Sequence, residues 1–162
     1  MPTEIILEEA LGPMRVIYDE EHLLGLDFAS QSRPSVNKDL SPLIEELHRE
    51  LAAYFAGHLK TFSIPLKLEG TPFQVEVWQA LQAIPYGQTV SYADIAHAIR
   101  HPKAYRAVGL ACHRNPIAII IPCHRVIGKN KTLVGYGGGL AMKQKLLALE
   151  EQKTSLCLYT AN

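Results

Sequence analysis

The chain has 162 residues, 48% of them apolar, which bounds it to one ordinary domain or two small ones with enough apolar side chains for a packed core. No apolar stretch approaches the ~20 residues of a membrane span, no basic start and apolar run marks a secretory leader, and an odd count of three cysteines (Cys112, Cys123, Cys157) argues against a disulfide scaffold. The formal net charge of zero hides a split: residues 1–70 carry 12 acidic and 6 basic side chains, and residues 71–150 carry 3 acidic and 9 basic, so the second half alone has the electrostatics of a nucleic-acid binder. These features fit a soluble protein of a reducing cytoplasm, and no basic cluster of the nuclear-localisation kind is present.

The first third alternates in strand fashion. Residues 3–9, 13–18 and 22–28 are short apolar-rich runs separated by Leu11-Gly12-Pro13 and Asp19-Glu20-Glu21, the pattern of an antiparallel meander. Residues 30–39 are polar and read as a loop. Ser41-Pro42 then opens a helix with Leu43, Ile44, Leu47, Leu51, Tyr54 and Phe55 on one face, and Gly57 stops it. Together these make a small α/β domain over residues 1–66, and residues 67–70 read as a linker. His22, His48 and His58 are scattered, so no metal site is expected there.

The second half reads as helices with clear starts. Thr71-Pro72-Phe73-Gln74 has capping-box spacing and opens a helix to about Ala83, ended by Ile84-Pro85-Tyr86-Gly87. Ser91-Tyr92-Ala93-Asp94 opens a short helix through Ile99, and His101-Pro102 breaks it. A third helix runs from about Lys103 to His113. Two short helices joined by a tight turn outline a helix-turn-helix. On the third, Ala104, Ala107, Val108 and Ala111 share the spacing of a packed stripe. Arg106, Gly109, Leu110 and His113 lie opposite, where small residues would let a nucleic-acid groove approach. A basic turn, Lys129-Asn130-Lys131, sits between Val126-Ile127 and Leu133-Val134 and suggests a wing. Gly135-Tyr136-Gly137-Gly138-Gly139 precedes a last helix, Leu140 to about Leu149, and residues 151–162 form a tail.

The chemistry concentrates in Ile117-Ala118-Ile119-Ile120-Ile121-Pro122-Cys123-His124-Arg125-Val126. An apolar run ends at a proline, and a cysteine, a histidine and an arginine follow directly. A thiol at the rim of a core, beside a base and a permanent cation, can become a thiolate nucleophile. A passive buried cysteine has the same local sequence.

The ordered motifs resemble the O6-alkylguanine-DNA alkyltransferases, also called methylated-DNA–protein-cysteine methyltransferases. They are Thr71-Pro72-Phe73 with Val77-Trp78; Ile84-Pro85-Tyr86-Gly87 with Val90-Ser91-Tyr92; Arg106-Ala107-Val108-Gly109; Asn115-Pro116; Ile121-Pro122-Cys123-His124-Arg125-Val126; and Gly138-Gly139-Leu140 with Leu146-Leu147 and Glu150. The resemblance covers residues 71–150 in order. It implies a ribonuclease-H-like α/β N-terminal domain, an antiparallel sheet plus helix, followed by a mostly α winged helix-turn-helix domain over 71–150.

The resemblance also implies roles. Cys123 would accept the alkyl group from O6-alkylguanine, or O4-alkylthymine, in double-stranded DNA, once per molecule and with the base flipped out. His124 would be the base, oriented by Glu150, and Tyr92 would donate toward the leaving base. Arg106 would fill the gap left in the stack, and Tyr92, Ala107, Gly109 and Arg125 would join it against DNA. Asn115, Ala118, Val126, Tyr136 and Gly137 would form the base pocket. No metal, cofactor or membrane is implied, and the protein is expected to be a cytoplasmic monomer. Ala118 and Gly137 stand where some members carry proline and serine, and Glu151 follows Glu150 where glycine is common. A damage-sensing protein without transfer, a cysteine hydrolase, and a metal site from the two Cys-His pairs are the competing readings. The sensors carry another residue at the nucleophile, no oxyanion hole is evident for a hydrolase, and the Cys-His spacing matches no common zinc pattern.

Overall fold

The computed structural model describes residues 2–29, 41–128, 135–136 and 139–160, the last nine by backbone alone. The chain forms two compact units. One is Met1–Glu69 with Pro116–Ala118, and the other is Gly70–Asn115 with Ile119–Asn162.

In the first unit, strands β1 (Thr3–Glu9), β2 (Gly12–Tyr18) and β3 (Leu23–Phe28) form an antiparallel sheet in the order β1-β2-β3. The register runs from Thr3 opposite Tyr18 to Glu9 opposite Gly12. Met14, Val16 and Tyr18 point inward at alternate positions of β2, while Arg15 points outward and pairs with Asp27 on β3. The β2–β3 turn is set by Asp19, whose carboxylate accepts from the Glu21 and His22 amides at 2.8 and 2.7 Å.

Helix α1 (Pro42–Phe55) starts as the sequence predicts. The Ser41 hydroxyl caps it and proline stands in the first turn. Its stripe of Ile44, Leu47, Leu51 and Tyr54 is fully buried against the sheet residues of this unit. The connection after it is structured. Buried Glu50 accepts from the amide and hydroxyl of Ser63, and Leu23 exchanges backbone hydrogen bonds with Pro65 and Lys67. Residues Pro116–Ala118 attach to β3 in the same way, through Leu26.

In the second unit, α2 (Pro72–Gln82) and α3 (Tyr92–Ala98) both open with complete capping boxes, Thr71/Gln74 and Ser91/Asp94. Helix α3 closes on a left-handed Arg100 (φ 64°), with the His101 amide returning to the Ala96 carbonyl. Helix α4 (Tyr105–His113) starts two residues later than predicted, because His101–Ala104 close a turn and Ala104 offers no side-chain cap. Trp78 of α2 donates its indole N–H to the Ala111 carbonyl at 2.9 Å. That carbonyl lies in the last turn of α4, where helical carbonyls lack an N–H partner.

Val126–Ile127 (β5) pairs in parallel with Val90–Ser91 (β4), a contact the sequence did not suggest. The rest of the suggested wing, including Lys129-Asn130-Lys131, lies outside the described residues. The last helix, α5, spans Leu140–Thr160 and does not end near Leu149, since neither glycine nor proline follows to stop it.

Candidate active site

The apolar run ahead of Cys123 is not a strand. Its buried Ile119 sits at φ 72°, a conformation that a β-branched side chain rarely adopts. The chain then turns through Ile121 and Pro122 into one 3-10 turn, Cys123–Arg125. This places Cys123, His124 and Arg125 in succession, all buried.

Cys123 is 8% exposed. Burial pushes its thiol pKa up, while a hydrogen bond from Asn115 and the nearby Lys143 ammonium pull it down. The Asn115 side-chain amide donates to Cys123 Sγ at 3.1 Å and to the Ile121 carbonyl at 2.7 Å. One amide therefore holds both the turn and the sulfur. The resting group is a thiol, already surrounded by what a thiolate needs.

His124 is fully buried, and its Nε2 lies 2.6 Å from Glu150 Oε2. Burial lowers the imidazole pKa despite the carboxylate beside it, so the ring is neutral. Burial alone would raise the Glu150 pKa. Contacts with His124 and Arg125 outweigh it and hold the carboxyl at about 2. An ionised carboxylate only accepts, so Nε2 carries the proton and donates. Nδ1 is then the basic nitrogen, and it has no hydrogen-bond partner among the described residues.

Glu150 gathers more than the histidine. Arg125 Nε donates to Oε1 at 2.8 Å and Nη2 to Oε2 at 3.1 Å, and the Gly87 amide donates to Oε1 at 3.2 Å. Arg125 Nη1 donates to the Ile84 carbonyl at 2.7 Å, and its guanidinium lies over the Tyr86 ring. The predicted DNA contact of Arg125 is therefore corrected. Arg125 is 6% exposed, and its guanidinium is occupied as the counter-charge of a buried carboxylate.

Lys143, which the sequence reading missed, is fully buried on α5, and its Nζ donates to the Val126 carbonyl at 2.7 Å. The predicted use of the Val126 backbone thus begins with this lysine, and the carbonyl keeps a second lone pair. The signal was available: Lys143, Leu146 and Glu150 recur at i, i+3, i+7 on the buried face of α5.

A cavity of about 80 Å³ lies beside the sulfur. Tyr92, Gly109, Cys112, His113 and Tyr136 line it with Cys123. Burial pushes the Tyr92 hydroxyl pKa up to about 12 and raises that of Tyr136 further, so both are donors at neutral pH. Gly109 faces the Tyr92 ring: a Cβ there would meet it at 3.8 Å. Arg106 and Ala107 are exposed on α4 with Leu110 and His113, so Ala107 leaves the predicted packed stripe, and Cys112 joins Val108 and Ala111 in it. Ala118 belongs to the first unit, where its amide donates to the Leu26 carbonyl. Gly137 lies outside the described residues. No group of three or more metal-binding side chains occurs among the described residues.

Two family models match the chain: "6-O-methylguanine DNA methyltransferase, ribonuclease-like domain" over residues 5–68, and "6-O-methylguanine DNA methyltransferase, DNA binding domain" over residues 72–152. A methylated-DNA–protein-cysteine methyltransferase of Mycobacterium leprae is 60% identical over 158 residues, 94% of this chain and 96% of the relative. One from Methanosarcina acetivorans is 50% identical over 149 residues, 90% of this chain and 96% of the relative. Among solved structures, Mycobacterium tuberculosis OGT in complex with DNA superposes with a TM-score of 0.82 at 43% identity, covering 91% of this chain and 92% of that one.

Proposed function

The chain belongs to the 6-O-methylguanine DNA methyltransferase family, and on that footing we propose that Cys123 is the residue on which its reaction ends. The activity is repair of DNA by direct alkyl transfer to a cysteine of the protein. The substrate in our reading is double-stranded DNA carrying O6-alkylguanine or O4-alkylthymine. The observation that carries the assignment is the buried sequence Asn115–Cys123 with His124–Glu150 beside it, a nucleophile with a stabilising donor next to an oriented neutral base.

A base stacked in a duplex cannot present its O6 substituent to a buried thiol, so the nucleotide swings out into the cavity beside Cys123. His124 Nδ1 takes the thiol proton through a water, and the Asn115 amide and the Lys143 ammonium steady the thiolate. The sulfur attacks the alkyl carbon. A C–S bond forms, the C–O6 bond breaks, and the electron pair leaves with the guanine. Tyr92 donates a hydrogen bond to the departing base and so limits its negative charge. The product thioether does not hydrolyse, and each molecule acts once. Arg106, exposed on α4, fills the space that the base vacates. Glu150 and Arg125 act as positioning residues: neither meets the substrate.

Intact-protein mass spectrometry after incubation with a duplex bearing one O6-methylguanine tests this. The expected product is one added methylene per chain, mapped to Cys123 and absent in Cys123→Ala. Unchanged mass with retained lesion binding would overturn transfer and leave a damage sensor. We also read the protein as a monomer, since only Tyr105, Leu110 and Leu140 are exposed large apolar side chains among the described residues. A concentration-dependent mass in light scattering would contradict the monomer.

A further inference from the structure

The cavity beside Cys123 contains a second thiol that alkyl transfer does not use. Cys112 lies on the inner face of α4, 8% exposed, and is a free cysteine like Cys123. The two reach the same cavity of about 80 Å³ from different elements, α4 and the 3-10 turn. Asn115 links them: its backbone amide donates to the Cys112 carbonyl at 3.2 Å, and its side chain donates to Cys123 Sγ at 3.1 Å. The thiols also lie within electrostatic reach of one another, and the Lys143 ammonium favours either thiolate. Spacing in the sequence does not announce this pair, since ten residues, a turn among them, separate the two.

We infer that Cys112 and Cys123 form an oxidation site, at which a small neutral two-electron oxidant of the hydroperoxide class joins them as a disulfide. The cavity admits a molecule of that size. Cys123 reacts first, because Asn115 donates to its sulfur. The sulfur attacks one peroxide oxygen, the O–O bond breaks, and the thiol proton leaves with the departing hydroxide as water. The result is a sulfenic acid. Cys112 sulfur then attacks that sulfur, the S–O bond breaks, and hydroxide leaves with the Cys112 proton as a second water. In sum, two thiols and one hydrogen peroxide give one disulfide and two waters. The linkage blocks the acceptor reversibly and diverts it from irreversible over-oxidation.

The test uses the full chain and hydrogen peroxide, and it reads mass rather than transfer, so it stands or falls apart from the transferase reading. Trypsin cleaves after Arg106, Arg114 and Arg125, placing Cys112 in residues 107–114 and Cys123 in residues 115–125. We expect the intact mass to fall by two hydrogens and these two peptides to run as one linked species that dithiothreitol separates. In Cys112→Ser no linked species forms, and Cys123 instead gains two oxygens as sulfinic acid. Dithiothreitol returns peroxide-treated wild type to its starting mass, and treated Cys112→Ser stays two oxygens heavier. An unlinked wild-type Cys123 carrying oxygens, a link to the Cys157 peptide, or no change of mass at all would each overturn the inference.

Discussion

Glu150 decides which nitrogen of His124 is basic, and this makes it the most informative residue to change. Its ionised carboxylate can only accept, so the imidazole proton stays on Nε2. In Glu150→Gln the amide can donate to Nε2 and move the proton to Nδ1, which removes the base. We expect methyl transfer to slow by about 10²- to 10⁴-fold, the usual contribution of a positioned base, as read by rapid-quench mass spectrometry. The variant also leaves the buried Arg125 guanidinium without its counter-charge, at a cost of about 3–5 kcal/mol, so rates are measured well below its melting point. The pH dependence of stability has a defined sign. Burial lowers the His124 pKa in the folded state, and the contacts of Glu150 hold it at about 2 against an ordinary 4.5. In both cases the unfolded chain binds the proton more readily. The stabilisation is complete above each unfolded pKa and is lost as pH falls through the window below it. Melting temperature should therefore drop as pH falls below about 6.5, where unfolded histidine begins to protonate, and again between about 4.5 and about 2. Glu150→Gln should show a smaller second drop, since Asp19 and Glu46, also held below their ordinary values, still contribute there. A wild-type melting temperature that rises on acidification would contradict the arrangement.

At the scale of elements, local chemistry in the sequence set most boundaries and long-range contacts set the rest. The Thr71/Gln74 and Ser91/Asp94 boxes were legible because every participant lies within four residues. The pairing of β5 with β4 was not, because Val126 and Val90 are 36 positions apart and a two-residue strand has no pattern of its own. The buried charges followed the same division. Cys123 and His124 stand side by side in the sequence, but the pairing of His124 with Glu150 came only from family resemblance. Arg125 was expected against DNA because its partner, Glu150, stands 25 positions away on α5. The approach to α2 offers a test. A Cβ on Gly70 would come within 2.8 Å of the Trp78 ring and of the Gln74 carboxamide that completes the cap. The indole cannot swing away without losing its hydrogen bond to Ala111. Gly70→Ala should therefore cost about 1–3 kcal/mol, the usual penalty of overpacking, and lower the melting temperature by several degrees. Trp78 is the sole tryptophan of the chain, so its fluorescence should report the displaced ring directly. A melting temperature equal to that of the wild type would show that the cap yields.

For the molecule as a whole, the zero net charge misleads about its partner. The basic excess of residues 71–150 coincides with the matched DNA-binding domain, and the acidic excess lies in residues 1–70. Binding to DNA through phosphates releases counterions, so affinity should fall steeply with salt, with a log–log slope of about −0.9 for each phosphate neutralised. Arg106 separates two ways of using that surface. As a phosphate contact it would contribute its share of the slope, and Arg106→Ala would reduce it by about one. As the side chain that fills the vacated stack, it contributes to the flipped state and little to the ion count. It stands exposed on α4 with Ala107, Leu110 and His113, on a helix face free to enter a groove. We therefore expect Arg106→Ala to leave the salt slope of duplex binding unchanged while slowing methyl transfer, with single-stranded substrate affected least because it has no stack to refill. Fluorescence anisotropy across a salt series, paired with transfer rates on both substrates, measures this. A slope shallower by about one unit, with transfer slowed equally on both substrates, would return Arg106 to the phosphates.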